Sequence, residues 1–180
     1  MDTKDRGLLA TDDPGLQSWV RFLQAHAAVT RRLEAELQGE CEMSLAEYEA
    51  LLHLDRAADG RLRMSELASG LLLSRSGVTR LVDRLEAAGD VERRTCPSDA
   101  RGSFAVITDA GRVRFGAAEP VHLRGVREHF LAHIPEDEIA LLRRTLGRLA
   151  PVDAEEEAVC GTATALPDPA APAHPVSSRR

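Results

Sequence analysis

Residues 74–89 restrict what this chain can fold into more than any other stretch. Ser74 offers the side-chain oxygen that helix N-caps favour. Val78, Leu81, Val82 and Leu85 follow at offsets of 0, 3, 4 and 7, which places all four on one face of a helix. Leu73 precedes the cap and Val78 lies four residues beyond it, the spacing of a hydrophobic staple. Gly89 stands where a glycine commonly ends a helix. The other face carries Arg75, Ser76, Thr79, Arg80, Asp83 and Arg84. Such a helix has one side for a core and one for an anion. Arginine forks onto guanine O6 and N7, and serine and threonine reach phosphates or base edges. The N-terminus of a helix itself attracts phosphate.

This basic surface is local, because the chain has a formal net charge of -6. Residues 61–115 hold 10 Lys/Arg against 7 Asp/Glu, whereas residues 1–60 hold 6 against 12 and residues 116–180 hold 7 against 10. The acidic flanks would be repelled by DNA and are expected to face away from it. A length of 180 residues suits one domain with a tail. At 43% hydrophobic and 3% aromatic, the core must be mostly Leu, Val and Ala. No apolar run approaches a membrane span, and the N-terminus lacks an apolar stretch of signal-peptide length. A cytoplasmic address is expected, with no membrane partner.

Residues 14–38 read as a long helix opened by Pro14 and closed by Gly39, with Leu16, Val20, Leu23, Ala27, Leu33 and Leu37 near one stripe. Ser44 and Glu47 have the spacing of a capping box, with Met43 and Tyr48 as its staple. They open a second helix bearing Leu51, Leu52 and Leu54, which ends in a turn at Asp59-Gly60. "RMSELASGLLL" gives a short third helix through Leu67, Ala68 and Leu71. A very short turn joins it to the helix at 74–88, which is helix-turn-helix spacing. After Gly89 the pattern changes to two short strands, "DVERRT" and "SFAVIT", around the turn signals of "CPSDARG". Arg93, Arg94 and Arg101 load this hairpin. A helix-turn-helix followed by such a hairpin is a winged helix, whose wing lies along the DNA backbone or enters the minor groove.

Thr108 caps a fifth helix running to Ile134, in which Pro120 is expected to cause a kink or a break. A sixth, "PEDEIALLRRTLGRLA", carries Ile139, Leu142, Leu146 and Leu149 on one stripe, with acids early and arginines late, as the helix dipole favours. Beyond Pro151, recurrent Pro and Ala mark residues 151–180 as a disordered tail. The expected fold is therefore mainly α with a small β-hairpin wing. A winged helix-turn-helix at 43–111 is flanked by dimerisation helices at 14–38 and 109–150. The first, fifth and sixth helices each carry an apolar stripe that one small winged unit cannot cover. The simplest cover is a second copy. The two-fold symmetry of a homodimer would match palindromic double-stranded DNA with half-sites one helical turn apart.

The segments "MSLAEYEALLHL", "MSELASGLLLSRSGVTRLVDRLEAAGDVERR", "PSDARG" and "FAVITDAG" together closely resemble the MarR family of bacterial transcription regulators, over residues 43–111 with helical flanks on both sides. The resemblance implies a homodimer interlocked through its terminal helices, spanning residues 14–150. It implies a repressor released by a small effector, often phenolic, or by oxidation. It makes residues 74–88 the recognition helix, with Ser74, Arg75, Ser76, Thr79 and Arg80 toward DNA and Arg84 as a further candidate. The wing motif falls on Asp99, Ala100, Arg101 and Gly102. It implies that Arg101 reaches the minor groove and that Asp99 helps to hold the wing. Many relatives carry arginine where this chain has Ala100. The family's effector pocket lies between the dimer helices and the winged unit, which makes Trp19, Phe22, His26 and His53 the candidate lining residues.

Other functions find less support. Cys41, Cys96 and Cys160 are widely spaced, form no CxxC pair and join no cysteine-histidine zinc pattern. A thiol-based redox sensor is the alternative regulator, with Cys96 in an arginine-rich segment that would favour a thiolate. The oxidation-sensing branch of the family has its cysteine inside the first helix, and this chain has none there. His122, His129 and His133 are spaced by seven and four, which permits a shared helix face, but no carboxylate or cysteine cluster completes a persuasive metal site. No metal or other cofactor is expected. No GxSxG, phosphate loop or dinucleotide fingerprint occurs, so an enzyme is not expected. A protein-binding adaptor built on the winged helix would want a neutral or acidic face where Arg75 and Arg80 stand.

Overall fold

The computed structural model describes residues 13–96 and 99–149, with the backbone alone described for residue 96 and residues 99–102. The elements run α1 (Pro14–Cys41), α2 (Leu45–Arg56), β1 (Arg61–Arg63), α3 (Met64–Gly70), α4 (Arg75–Ala87), β2 (Val91–Cys96), β3 (Asp99–Ile107), α5 (Asp109–His129), a 3-10 turn (Leu131–His133) and α6 (Glu136–Leu149). The tail expected at 151–180 lies outside the described residues. Two units are distinguished, one ending at Pro135 and one beginning at Glu136.

Local chemistry sets the helix starts. The Asp13 carboxylate accepts from the backbone N–H groups of Gly15 and Leu16 ahead of α1. At α2 the Ser44 hydroxyl accepts from Glu47 N–H (3.2 Å), and the Glu47 carboxylate accepts from Ser44 N–H (3.0 Å), so the capping box is complete. Ser74 caps α4 through Gly77 N–H, and Thr108 caps α5 through Gly111 N–H.

The core forms where α2, α3, α4, the sheet and α5 meet. Val78, Leu81, Val82 and Leu85 of α4 are each at most 2% exposed and pack with Leu51, Leu54, Leu67, Val91 and Ile107. Each such side chain contributes roughly 1.5–3 kcal/mol by leaving water. Met43 and Tyr48 are buried as the staple requires. The sheet has order β1-β3-β2, all antiparallel. β2 and β3 form the wing hairpin, with Val91 opposite Ile107 and a register shift between Thr95 and Cys96.

Four features differ from the sequence reading. α1 continues through Gly39 to Cys41, and the chain turns at Glu42 with a left-handed φ of 49°. A lone glycine costs a helix only about 1 kcal/mol, less than the burial of Leu37 and Met43 on either side returns. α5 runs unbroken through Pro120. The carbonyl left without its helical donor is that of Gly116, and Gly116 and Pro120 both face solvent, where water can serve it. Phe115, Ala118, Val121 and Gly125 anchor the helix on both sides of the proline. α5 ends at His129 and only a 3-10 turn follows, so it does not reach Ile134. β1 was not foreseen: "RLR" is too short to show a strand period.

The first, fifth and sixth helices also behave differently from one another. α5 is partly absorbed into the core through Phe115, Ala118 and Val121. α1 packs on α5 through its C-terminal half, where Leu33 and Leu37 are buried. The two helices come so close that a Cβ on Gly125 would stand 2.7 Å from Leu33 Cδ2. The N-terminal half of α1 buries nothing: Leu16, Trp19, Phe22 and Leu23 are 43–54% exposed. In the second unit, α6 has Glu136, Asp137 and Glu138 in its first turn, Arg148 in its last, and no buried residue.

Candidate nucleic-acid interface

The solvent face of α4 is defined by its buried face. With Val78, Leu81, Val82 and Leu85 turned inward, Arg75, Ser76, Thr79, Arg80, Asp83 and Arg84 are left outside, and all six are exposed. Their immediate partners differ. Among the described residues, neither Arg75 nor Arg80 has an ion-pair partner. Arg84 pairs with Glu47 of α2 at 3.1 Å. Asp83 pairs with Arg93 at 2.6 Å.

Glu47 explains why Arg84 stands apart. Burial alone would raise its carboxyl, but hydrogen bonds from Ser44 and Arg84 outweigh burial and hold it below the usual carboxylate range. It remains a full negative charge that caps α2 and grips α4. Part of Arg84's charge is therefore already answered within the fold.

The hydroxyls also divide. The Ser74 hydroxyl accepts from Gly77 N–H and lies 3.2 Å from Ser76 Oγ. The Thr79 hydroxyl donates to the Arg75 carbonyl at 2.8 Å, which leaves only its lone pairs for an outside donor. Of the hairpin arginines, Arg93 reaches Glu86 and the Thr79 carbonyl as well as Asp83, and so ties β2 to α4. Arg94 pairs with Glu92. Asp99 and Arg101 lie in β3, but their side chains are outside the described ones.

Two groups of the winged unit were missed by sequence reading. The guanidinium groups of Arg61 and Arg63, on β1, lie 5.3 and 5.2 Å from the centre of the Phe104 ring of β3, within cation–π range. Asp90, only 3% exposed, pairs with Arg114 of α5, which also donates to the Glu42 carbonyl. An acid after a helix-ending glycine was the available signal for Asp90. Its partner, 24 positions away, has no sequence signature.

The candidate effector residues fall in two places. Trp19 and Phe22 stack at 5.9 Å and Phe22 meets His26 at 6.4 Å, a row along the exposed half of α1. His53 is half-buried on α2, its ring close against Gly70 of α3. His26 acts electrostatically on Glu49, which lies one turn before His53 on α2. Cys41 is the last residue of α1, which corrects the expectation that the first helix holds no cysteine; it is a free, half-buried thiol packed against the core.

One of the three histidines has carboxylates close to it. Glu36, Glu128 and His129 bring ligand atoms within 4.8 Å of one another. Glu36 comes from α1, 93 positions away, which no local spacing could reveal. His129 Nε2 donates to Glu36 at 2.5 Å and Arg32 stands 3.5 Å from the other ring nitrogen, while the second Glu36 oxygen is buried without a hydrogen-bond partner among the described residues. The set serves as a polar contact between α1 and α5.

Two helices joined by a tight turn, a three-stranded sheet with a projecting hairpin, and an exposed cationic face on the second helix define a winged helix-turn-helix protein. Residues 42–102 match the model of the MarR family. The chain is 31% identical to AbsC, a MarR family transcriptional regulator from Streptomyces coelicolor, with a TM-score of 0.72 over 77% of this chain and 94% of that one. It has the same identity and TM-score with Sco3205, a MarR family transcriptional regulator of the same organism solved in complex with DNA, over 77% and 90%. It is 29% identical over 83 residues to YkoM, an HTH-type transcriptional regulator of Bacillus subtilis (strain 168); that match spans 46% of this chain and 54% of the relative. The chain belongs to the MarR family of transcriptional regulators. No described helix is long and apolar enough to cross a membrane.

Proposed function

We propose that the chain is a sequence-specific regulator that binds palindromic double-stranded DNA as a homodimer and represses transcription until a small effector releases it. One observation carries the DNA reading: Arg75 and Arg80 face solvent without an anionic partner among the described residues, in a protein with 29 acidic and 23 basic side chains. Ser74, Ser76 and Thr79 share that surface. Arg101 would extend it from the wing, with Asp99 in support. The relative Sco3205 was solved with DNA, which agrees with this reading. Arg84 serves mainly to hold α4 to α2.

The homodimer rests on the exposed row Leu16, Trp19, Phe22 and Leu23, a set of side chains that water disfavours and that the described residues of one chain leave uncovered. Sedimentation at micromolar protein should give about twice the 19.6 kDa chain mass; a clean monomer would refute the assembly. The effector cleft is assigned to Trp19, Phe22, His26 and His53, and its ligand to a small phenol-like aromatic. Trp19 is the only tryptophan, so its fluorescence should respond to simple phenols that also weaken DNA binding.

The DNA reading is tested by selecting duplexes from a random pool with the full chain, then titrating selected and scrambled duplexes at several salt concentrations. Arg75→Ala should lose base discrimination. Arg101→Ala should weaken binding more uniformly and flatten the salt dependence. If both variants melt normally and bind as tightly as the parent, this face is not the DNA-binding surface.

A further inference from the structure

Two helices of the helix-turn-helix end in the same way. At the end of α4, Asp90 N–H bonds the Leu85 carbonyl and Gly89 N–H bonds the Glu86 carbonyl, with Gly89 at a φ of 82°. At the end of α3, Leu73 N–H bonds the Ala68 carbonyl and Leu72 N–H bonds the Ser69 carbonyl, with Leu72 at a φ of 52°. Both are Schellman motifs, whose left-handed position glycine usually fills because a Cβ there crowds the backbone. This chain uses glycine at 89 and leucine at 72.

The leucine brings no packing to offset that strain. Its residue is 93% exposed, the most exposed of the described large hydrophobic residues. A large apolar side chain that is both strained and solvated does nothing for the fold, and strained backbone tends to persist at functional sites. Its location is specific. Leu72 stands two residues before Ser74, the cap of α4, and borders a groove lined by Ser65, Ala68, Ser69, Leu73 and Arg75. The apolar floor of the groove is therefore continuous with the face that carries the unpaired Arg75.

We propose that Leu72 is a DNA-contacting residue, an apolar knob that the turn between α3 and α4 presses onto the carbon surface of the duplex while Arg75 engages the polar groups beside it. The proposal rests on the DNA-binding reading above. Hydroxyls and an unanswered guanidinium around an apolar knob suit a polyanion that also exposes hydrocarbon. DNA offers that hydrocarbon as thymine 5-methyl groups in the major groove or as deoxyribose.

The test uses the full chain and a duplex of about 30 base pairs that it has selected from a random pool, long enough for half-sites one helical turn apart. Leu72→Gly and Leu72→Asn both accept the left-handed backbone and remove the hydrocarbon. Both should melt no lower than the parent. Both should bind the selected duplex about three- to tenfold more weakly, as loss of a partly buried aliphatic side chain implies. Their salt dependence should equal the parent's, because no phosphate contact is lost. A duplex with deoxyuracil in place of thymine distinguishes the two hydrocarbon sources. If the methyl group is the partner, the parent falls to the level of the variants and the variants lose nothing more. If deoxyribose is the partner, the parent keeps its advantage on both duplexes. The proposal is overturned if both Leu72 variants bind like the parent while Arg75→Ala binds weakly. If no duplex is selected, or Arg75→Ala binds as the parent does, the DNA reading fails and takes the proposal with it.

Discussion

The arginines of α4, of β2 and of the first turns of α5 fall into two groups by what surrounds them. Arg84, Arg93, Arg94 and Arg114 each meet a carboxylate: Glu47, Asp83 with Glu86, Glu92 and Asp90 respectively. Arg75 and Arg80 lie on the same helix as Arg84 and meet none among the described residues. A chain with a net charge of -6 has acids to spare, so an arginine without one is informative. Arg84, Arg93 and Arg114 join elements of the fold, while Arg94 is answered within its own strand. Unpaired ones, held outward by a fully buried opposite face, keep their charge available to an anion from outside. The contrast also separates two kinds of failure: one group should fail in folding and the other in binding.

The largest effect is expected at Arg114. Asp90 is 3% exposed and Arg114 answers its charge across 24 positions. Arg114→Ala would leave that carboxylate buried and uncompensated, at a cost of about 3 kcal/mol. Urea unfolding would check this. An unchanged midpoint would break the distinction between structural and free arginines at its strongest point.

Arg75→Ala comes next, with the opposite signature. Stability should stay within about 0.5 kcal/mol, as for a surface substitution, while affinity for the selected duplex falls by roughly 1–3 kcal/mol per lost bidentate contact. Arg93→Ala should be smaller again and appear in melts. Its partners Asp83 and Glu86 are 52% and 43% exposed, so solvent screening leaves the ion pairs modest. With the bond to the Thr79 carbonyl added, about 1 kcal/mol is expected. An Arg93 variant that melts normally but loses DNA would move that residue into the second group.

The inner face of α4 was legible in the sequence because everything that specifies it is local: cap, staple, apolar offsets and terminal glycine lie within 17 residues. The outer face followed by subtraction. Whether each arginine on it was free or paired was not legible, because Glu47 lies 37 positions from Arg84 and no period connects them. Pro120 and Gly39 misled for a related reason. Their propensities are local penalties, and packing by Phe115, Val121 and Leu37 outweighs them. Leu72 was hidden by the turn rule itself, which looks for glycine at the left-handed position and finds "LLL". The wing was visible as a hairpin, whereas the three-residue strand β1 exists only through its pairing with β3.

The smallest effect sharpens the comparison from the other side, through a base that lacks a partner but is buried. His122 on α5 stacks on Tyr48 of α2 at 4.3 Å, and its Nδ1 has no hydrogen-bond partner among the described residues. An exposed arginine without a partner stays charged; a buried imidazole without one stays neutral. Burial lowers the affinity of His122 for a proton below the ordinary value of 6.5, and burial likewise pushes the Tyr48 phenol up, so the stacked pair is neutral near pH 7. As pH falls through 6.5, the unfolded chain takes up this proton before the folded one does. The unfolded state then binds more protons, so stability declines with acid until the folded-state value is passed. Other groups titrate too: Glu49, raised by desolvation, acts with the opposite sign, and Glu47, held low, acts with the same sign at more acid pH. The informative quantity is therefore the difference between the parent and His122→Phe, which keeps a ring on Tyr48 and removes the titration. Between pH 7 and 5 the melting temperature of the parent should fall more steeply than that of His122→Phe. Parallel curves would mean that His122 accepts its proton inside the fold, which would require a partner for Nδ1.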